Sequence, residues 1–264
     1  MLIVAGVLAA IYGAVVYVWH DPATDLYARY KQHQLSDQLE ESFAQYREDV
    51  GVAEGAPAAA PQTAGTTPDA QPPDAQPADQ PTVDDAALEE RTRTAAQRFL
   101  GKLELGDPLG RIIVPKLKID PVVVNGTRWG PDLSRGPGRY PETSLPGLGE
   151  LTAIAGHRTT FGAPFRHIDR LKAGDEITLE LPYATFRYRV VGHEIVDDED
   201  WSIIRPRPYE ALVLSACHPL FTANQRWVVY ARLTEVALPD GASYSPPAPE
   251  QTAHGAESGN SGSS

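Results

Sequence analysis

Cysteine is nearly missing from this sequence: Cys217 is the only one in 264 residues. A single thiol excludes an intramolecular disulfide, and beside scattered histidines it offers no zinc-ligand spacing. An excess of basic side chains is missing as well. The net charge of −12 is unevenly spread, because residues 107–236 hold 16 Lys plus Arg against 16 Asp plus Glu. The other 7 basic and 19 acidic residues supply all of the charge, so the acidity belongs to the flanks. With no basic stripe, nucleic-acid binding is set aside. Long helical periodicity is also absent from residues 107–236, and that shortage points to an all-β fold.

The chain opens on an apolar run. Residues 2–19 carry no charged side chain, and at 1.5 Å per residue they would reach about 27 Å as a helix, enough for a bilayer core. Tyr17 and Trp19 fall where an interfacial aromatic belt would lie. No small-x-small cleavage site follows, so residues 1–20 are expected to be an uncleaved, single-pass membrane anchor with the rest of the chain outside the cell. Residues 21–83 are expected to be a polar stalk, helical or coil-like, and then a disordered Ala/Pro-rich linker. Residues 84–106 open with acidic side chains and predict a helix. Residues 107–238 form the candidate domain, and residues 239–264 are expected to be a disordered tail.

Within 107–238 at least seven short strands are expected, among them 111–114, 121–124, 151–155, 177–181 and 186–190, with one short helix near 165–171. Many short strands between Pro and Gly turns predict a closed barrel or a sandwich. The most informative stretch is 212–219, where an apolar run stops at Cys217-His218-Pro219. Residues 226–233 follow and alternate, with Arg226, Val228, Tyr230 and Arg232 on one face and Trp227, Val229, Ala231 and Leu233 on the other. Antiparallel pairing of these two runs would set Cys217 beside Arg226. A thiol next to a fixed cation is the arrangement that favours thiolate, although a lone cysteine is also often a small buried hydrophobe. The strand at 151–155 runs into Gly156-His157-Arg158-Thr159-Thr160-Phe161-Gly162, placing His157 at a strand end as well. A Cys/His pair can act as nucleophile and general acid or base, and Arg226 could stabilise an oxyanion.

These residues resemble a known family. Gly156-His157-Arg158, the strand ending in Cys217, and Gln225-Arg226-Trp227-Val228-Val229 are similar to the His, Cys and Arg motifs of sortases, the membrane-anchored cysteine transpeptidases of Gram-positive bacteria. The likeness runs from about residue 109 to 236, and the Cys-His-Pro continuation is most similar to the class E, housekeeping-type sortases of actinobacteria. The resemblance implies an eight-stranded β-barrel with short helices and no obligatory cofactor. It implies Cys217 as nucleophile, His157 as general acid and base, and Arg226 as holder of substrate and oxyanion. The substrates would be surface proteins with an LPXTG- or LAXTG-like signal, cleaved between Thr and Gly and joined to a peptidoglycan-precursor amine such as lipid II.

Tyr140, Ala216, Arg158, Thr159 and His218 are the candidate substrate contacts, with Tyr140 readable equally as a turn aromatic. The family's Thr-Leu-x-Thr-Cys stands here as Val213-Leu214-Ser215-Ala216-Cys217, and Ala216 sits where the family's second threonine would touch the signal. Asp197, Asp198, Glu199 and Asp200 could hold Ca²⁺ or form a solvated acidic loop. The competing readings are a pilin-polymerising sortase, an L,D-transpeptidase, or an anchored scaffold with a degenerate site.

Overall fold

The computed structural model describes residues 2–18, 21–50, 83–207 and 209–247. The expected linker, the end of the tail and Trp19 lie outside the described residues. Three helices precede the strands: α1 (Leu2–Val18), α2 (Pro22–Val50) and α3 (Val83–Leu100). The strands are β1 (Pro108–Ile113), β2 (Val122–Asn125), β3 (Gly138–Arg139), β4 (Leu151–Ala155), β5 (Glu176–Leu181), β6 (Ala184–Asp197), β7 (Ala211–His218), β8 (Gln225–Ala237) and β9 (Ser243–Tyr244).

Strand order β6-β5-β1-β2-β3-β4-β7-β8, with β6 pairing back onto β8, closes an eight-stranded barrel. β9 adds two residues to the far end of β8. Closure removes the unpaired edge that an open sheet of this size would present. The alternating segments follow the period-2 rule. Ile177, Leu179 and Leu181 of β5 and Phe186, Tyr188 and Val190 of β6 fill the interior together with Leu212, Leu214, Val229 and Ala231. The expected short helix is a 3₁₀ turn, Ile168–Arg170, and two more lie at Pro115–Leu117 and Trp201–Ile204.

The expected stalk is different in kind. Residues 22–50 form one helix, and its apolar side chains recur every fourth residue, which places them on one face. Leu35 and Leu39, with Phe43, cover Val122 and Val124 of β2. The Gln32 amide bonds the backbone three times, accepting from Val122 N at 2.7 Å and donating to Val122 O and Arg135 O at 3.0 and 2.8 Å. This helix is therefore docked on the barrel wall rather than extending from it. α3 contributes buried Thr92 and Ala96 to the barrel's core region. Its neighbour Phe99 lies 5.5 Å from the Tyr183 ring.

α1 is a 17-residue helix without charge. Among the described residues no helix is long and apolar enough to cross a membrane.

Candidate active site

Register sets the site. β4 runs parallel to β7, from Leu151 opposite Ala211 to Ala155 opposite Ser215, and Gly156 N then donates to Ser215 O at 3.0 Å. His157 therefore leaves β4 alongside the end of β7 where Cys217 lies. β7 runs antiparallel to β8 with Cys217 directly opposite Arg226 and His218 opposite Gln225; side chains so paired start about 5 Å apart at Cβ. Three neighbouring strands thus bring His157, Cys217 and Arg226 to one rim. Glycine is required at 156, because a Cβ there would stand 2.5 Å from the Phe165 ring. That contact fixes where the loop carrying His157 leaves the sheet.

The period of two also decides what faces the rim. Leu212, Leu214 and Ala216 belong to the interior cluster, whereas Ala211 and Val213 pack on the outer one with Leu151, Ala153, Ile203 and Val228. Ser215 and the half-buried Cys217 share this outer face. Ala216, expected against the substrate, is instead 3% exposed inside the barrel and lies across from Trp227. The alanine is a core residue.

Tyr140 does reach the outer face. Its amide donates to Ala153 O at 2.9 Å, and its hydroxyl shares a 3.0 Å hydrogen bond with that of Ser215, two residues before Cys217. Its ring packs on the outer apolar cluster. An aromatic ring and a hydroxyl pair thus lie over the outer apolar cluster.

His157 is half-buried. Its Nε2 is buried with no hydrogen-bond partner among the described residues. Burial lowers its pKa below the ordinary histidine value, favouring the neutral ring. The Phe161 ring covers it at a centroid distance of 5.3 Å. Thr159, half-buried, lies in the same loop.

Of the predicted substrate contacts Arg158 and His218, Arg158 is buried behind the end of β7 and His218 stays half-buried beside it. Arg158 is only 4% exposed. Its guanidinium pairs with Asp169 at 3.0 Å and donates to Arg166 O at 3.2 Å and to the Cys217 carbonyl at 3.4 Å. The same Nη1 lies 3.3 Å from His218 Nδ1. One buried cation thus ties the loop that follows His157 to the backbone at Cys217. Arg226 is held differently, its Nη1 donating to Ala223 O at 2.6 Å and Gln225 O at 2.9 Å. Asp169, Ser215 and Phe161 are the site residues that sequence reasoning missed. Ser215 was accessible through strand alternation, whereas Asp169 and Phe161 had no local signal.

The acidic loop does not form a metal site. Asp200 accepts from Ser202 N at 2.8 Å and caps the Trp201–Ile204 turn. No group of three or more His, Cys, Asp or Glu among the described residues is placed to hold a metal ion. The Ca²⁺ candidate at 197–200 is therefore corrected to a loop with a capping role.

Residues 112–234 match the family described as the sortase domain. Sortase D of Bacillus subtilis (strain 168) is 33% identical over 135 residues, which cover 50% of this chain and 66% of that protein. Sortase SrtE1 of Streptomyces coelicolor is 29% identical over 154 residues, covering 53% of this chain and 44% of that one. Among solved structures, Sortase E1 from Streptomyces coelicolor with a tripeptide in the active site is 27% identical, with a TM-score of 0.47, over 50% of this chain and 90% of that one. The chain spans just under two thirds of the first curated relative and under half of the second.

Proposed function

Residues 112–234 match the sortase domain and the chain is similar to sortases, a class E member among them, and we propose that it belongs to that family and is a membrane-anchored cysteine transpeptidase. It cleaves the Thr–Gly bond of an LPXTG- or LAXTG-like sorting signal and joins the upstream protein to a cell-wall precursor amine. The observation that carries this reading is the register that brings Cys217, His157 and Arg226 to one rim.

The signal lies extended along the outer face beside the hydrogen-bonded Tyr140 and Ser215, with the threonine carbonyl at the thiol. His157, neutral through burial, takes the thiol proton as sulfur attacks the carbonyl carbon. As the C–N bond breaks, His157 returns that proton to the departing glycine nitrogen, leaving a thioacyl enzyme. An incoming amine then attacks the thioacyl carbon, its proton passes through His157, and the thiol is restored. Arg226, fixed through Nη1, has further N–H groups to donate to the carbonyl oxygen as it gains charge, in the planar geometry that lysine lacks.

Anchoring is inferred from the charge-free composition of residues 2–19, with the catalytic domain taken to lie outside the cell. Retention in the membrane fraction after an alkaline wash, with the domain open to external protease, tests it. The reaction is tested by incubating the full chain with LAXTG and LPXTG peptides and a glycine or diaminopimelate-like amine. Intact mass should show a thioacyl adduct on Cys217 that the amine resolves. Absence of both adduct and ligated product would overturn the proposal.

A further inference from the structure

The loop that follows His157 holds its backbone in an unusual conformation. Phe161, Gly162 and Ala163 have φ of +51°, +75° and +42° in succession, and two of the three carry a side chain. L-residues avoid this region, so the surroundings must hold the loop there. Part of the support is local: Ala163 N donates to Thr160 O at 2.9 Å, and Phe165 N to His157 O at 3.0 Å. The rest comes from a helix more than 130 residues earlier. Phe161 N donates to Thr24 Oγ1 at 3.0 Å, and the Tyr27 ring meets the Phe161 ring edge-on at 6.3 Å. Buried Ala28 backs Gly162, where an added Cβ would lie 3.5 Å from its own.

The helix is itself fixed. Beyond Gln32, Leu35 and Leu39, its Ser36 hydroxyl accepts from Arg111 of β1 at 2.8 Å. A rigid strut therefore runs from the barrel wall through α2 to Phe161, and Phe161 covers the ring whose Nε2 is buried and unpartnered.

We propose that the start of α2 completes the active site, with Thr24 and Tyr27 as positioning residues that seat Phe161 over His157 and keep that imidazole dry. The proposal rests on the reading of His157 as the general base. The charged or titratable groups around the loop are Asp25 and Arg29 of α2, ion-paired at 2.9 Å, with Arg158 and Cys217 on the barrel side. Burial alone accounts for the lowered imidazole, so removing the cover should act through solvation.

The test uses the full chain as wild type, Thr24→Val, Tyr27→Ala and the double variant, with Tyr27→Phe as the conservative control. Carbon-13 labelling at histidine Cε1 follows the His157 titration by NMR, and peptide cleavage is measured across pH. In the double variant the His157 midpoint should rise toward the ordinary value of 6.5. Then kcat/KM should fall about tenfold, as expected for a misplaced base, while Tyr27→Phe stays close to wild type. A folded double variant, or a folded single variant if the double does not fold, whose His157 titrates as in wild type would overturn the proposal. Should the wild type cleave no peptide, the transpeptidase reading fails, and the NMR titration still decides whether α2 shields His157.

Discussion

Near each end of β7 stands an ionisable group whose titration is shifted by burial, and the two are treated differently. Before its first residue lies Glu210, whose carboxylate accepts from Gly147 N at 2.8 Å, Gly149 N at 3.0 Å and the Tyr188 hydroxyl at 3.3 Å. Burial pushes this group up to about 7 even though those donors pull it down. Beside its last residues lies His157, which the same burial pushes down, and no partner meets its Nε2. Burial disfavours charge in both, but one end has its bonding needs met and serves as a joint. The other end keeps a buried ring nitrogen, His157 Nε2, with no partner among the described residues. That contrast separates structural from chemical use of the same physical effect.

The contrast can be broken most severely at the reactive end. Cys217→Ala should leave only background cleavage and no adduct by mass, with the fold intact by circular dichroism. Arg226→Ala should lower kcat by about 10²–10³-fold, the loss typical of one oxyanion donor, measured under saturating peptide.

Stability against pH sharpens the comparison next. The folded-state value of Glu210, about 7, lies above its ordinary 4.5. Its contribution is therefore full below 4.5 and lost as pH rises through 7, amounting to about 3 kcal/mol. Glu210→Gln should abolish that decline, read from denaturant unfolding at pH 5 and 8. His157 has the opposite sign: its lowered value means stability is present above 6.5 and lost as pH falls below it. His157→Phe should flatten the acidic side. A variant of either residue that leaves both slopes unchanged would show that burial is not the common cause.

Smaller effects test the supporting positions. Arg158→Met strands Asp169 and the Cys217 carbonyl. Because Asp169 is 43% exposed, the loss of stability should be only about 1–3 kcal/mol, with slower alkylation of Cys217 by iodoacetamide. Ala216→Thr should cost about 1 kcal/mol or slightly more through overpacking against Trp227. The ratio of LAXTG to LPXTG cleavage should stay unchanged, because the new side chain points inward.

Much of the barrel was legible because period-2 alternation is local. The strict patterns at 177–181 and 226–233 identify strands, and the gap between Cys217 and Arg226 suits an antiparallel return. The same rule, carried one residue further, would have turned Ala216 inward. Other features depend on partners distant in sequence. Arg158 reads as an exposed loop cation until Asp169 and the Cys217 carbonyl enclose it. Leu35, Leu39 and Phe43 announce a helix face, but only the fold reveals that Val122 and Val124 receive it. The acidic run at 197–200 looks like a ligand set because composition does not record that Asp200 is engaged by Ser202 N.

β8 pairs with β7, β6 and β9, so it is the seam on which the cylinder closes, and Arg226 stands near its beginning. Cys217 meets Arg226 across the local β7–β8 hairpin, whereas His157 comes alongside only when β4 has met β7, Leu151 opposite Ala211. Such long-range pairings form late in folding. A partly folded chain would therefore hold Cys217 opposite Arg226 before His157 arrives, and the three share one rim only once β4 has joined β7.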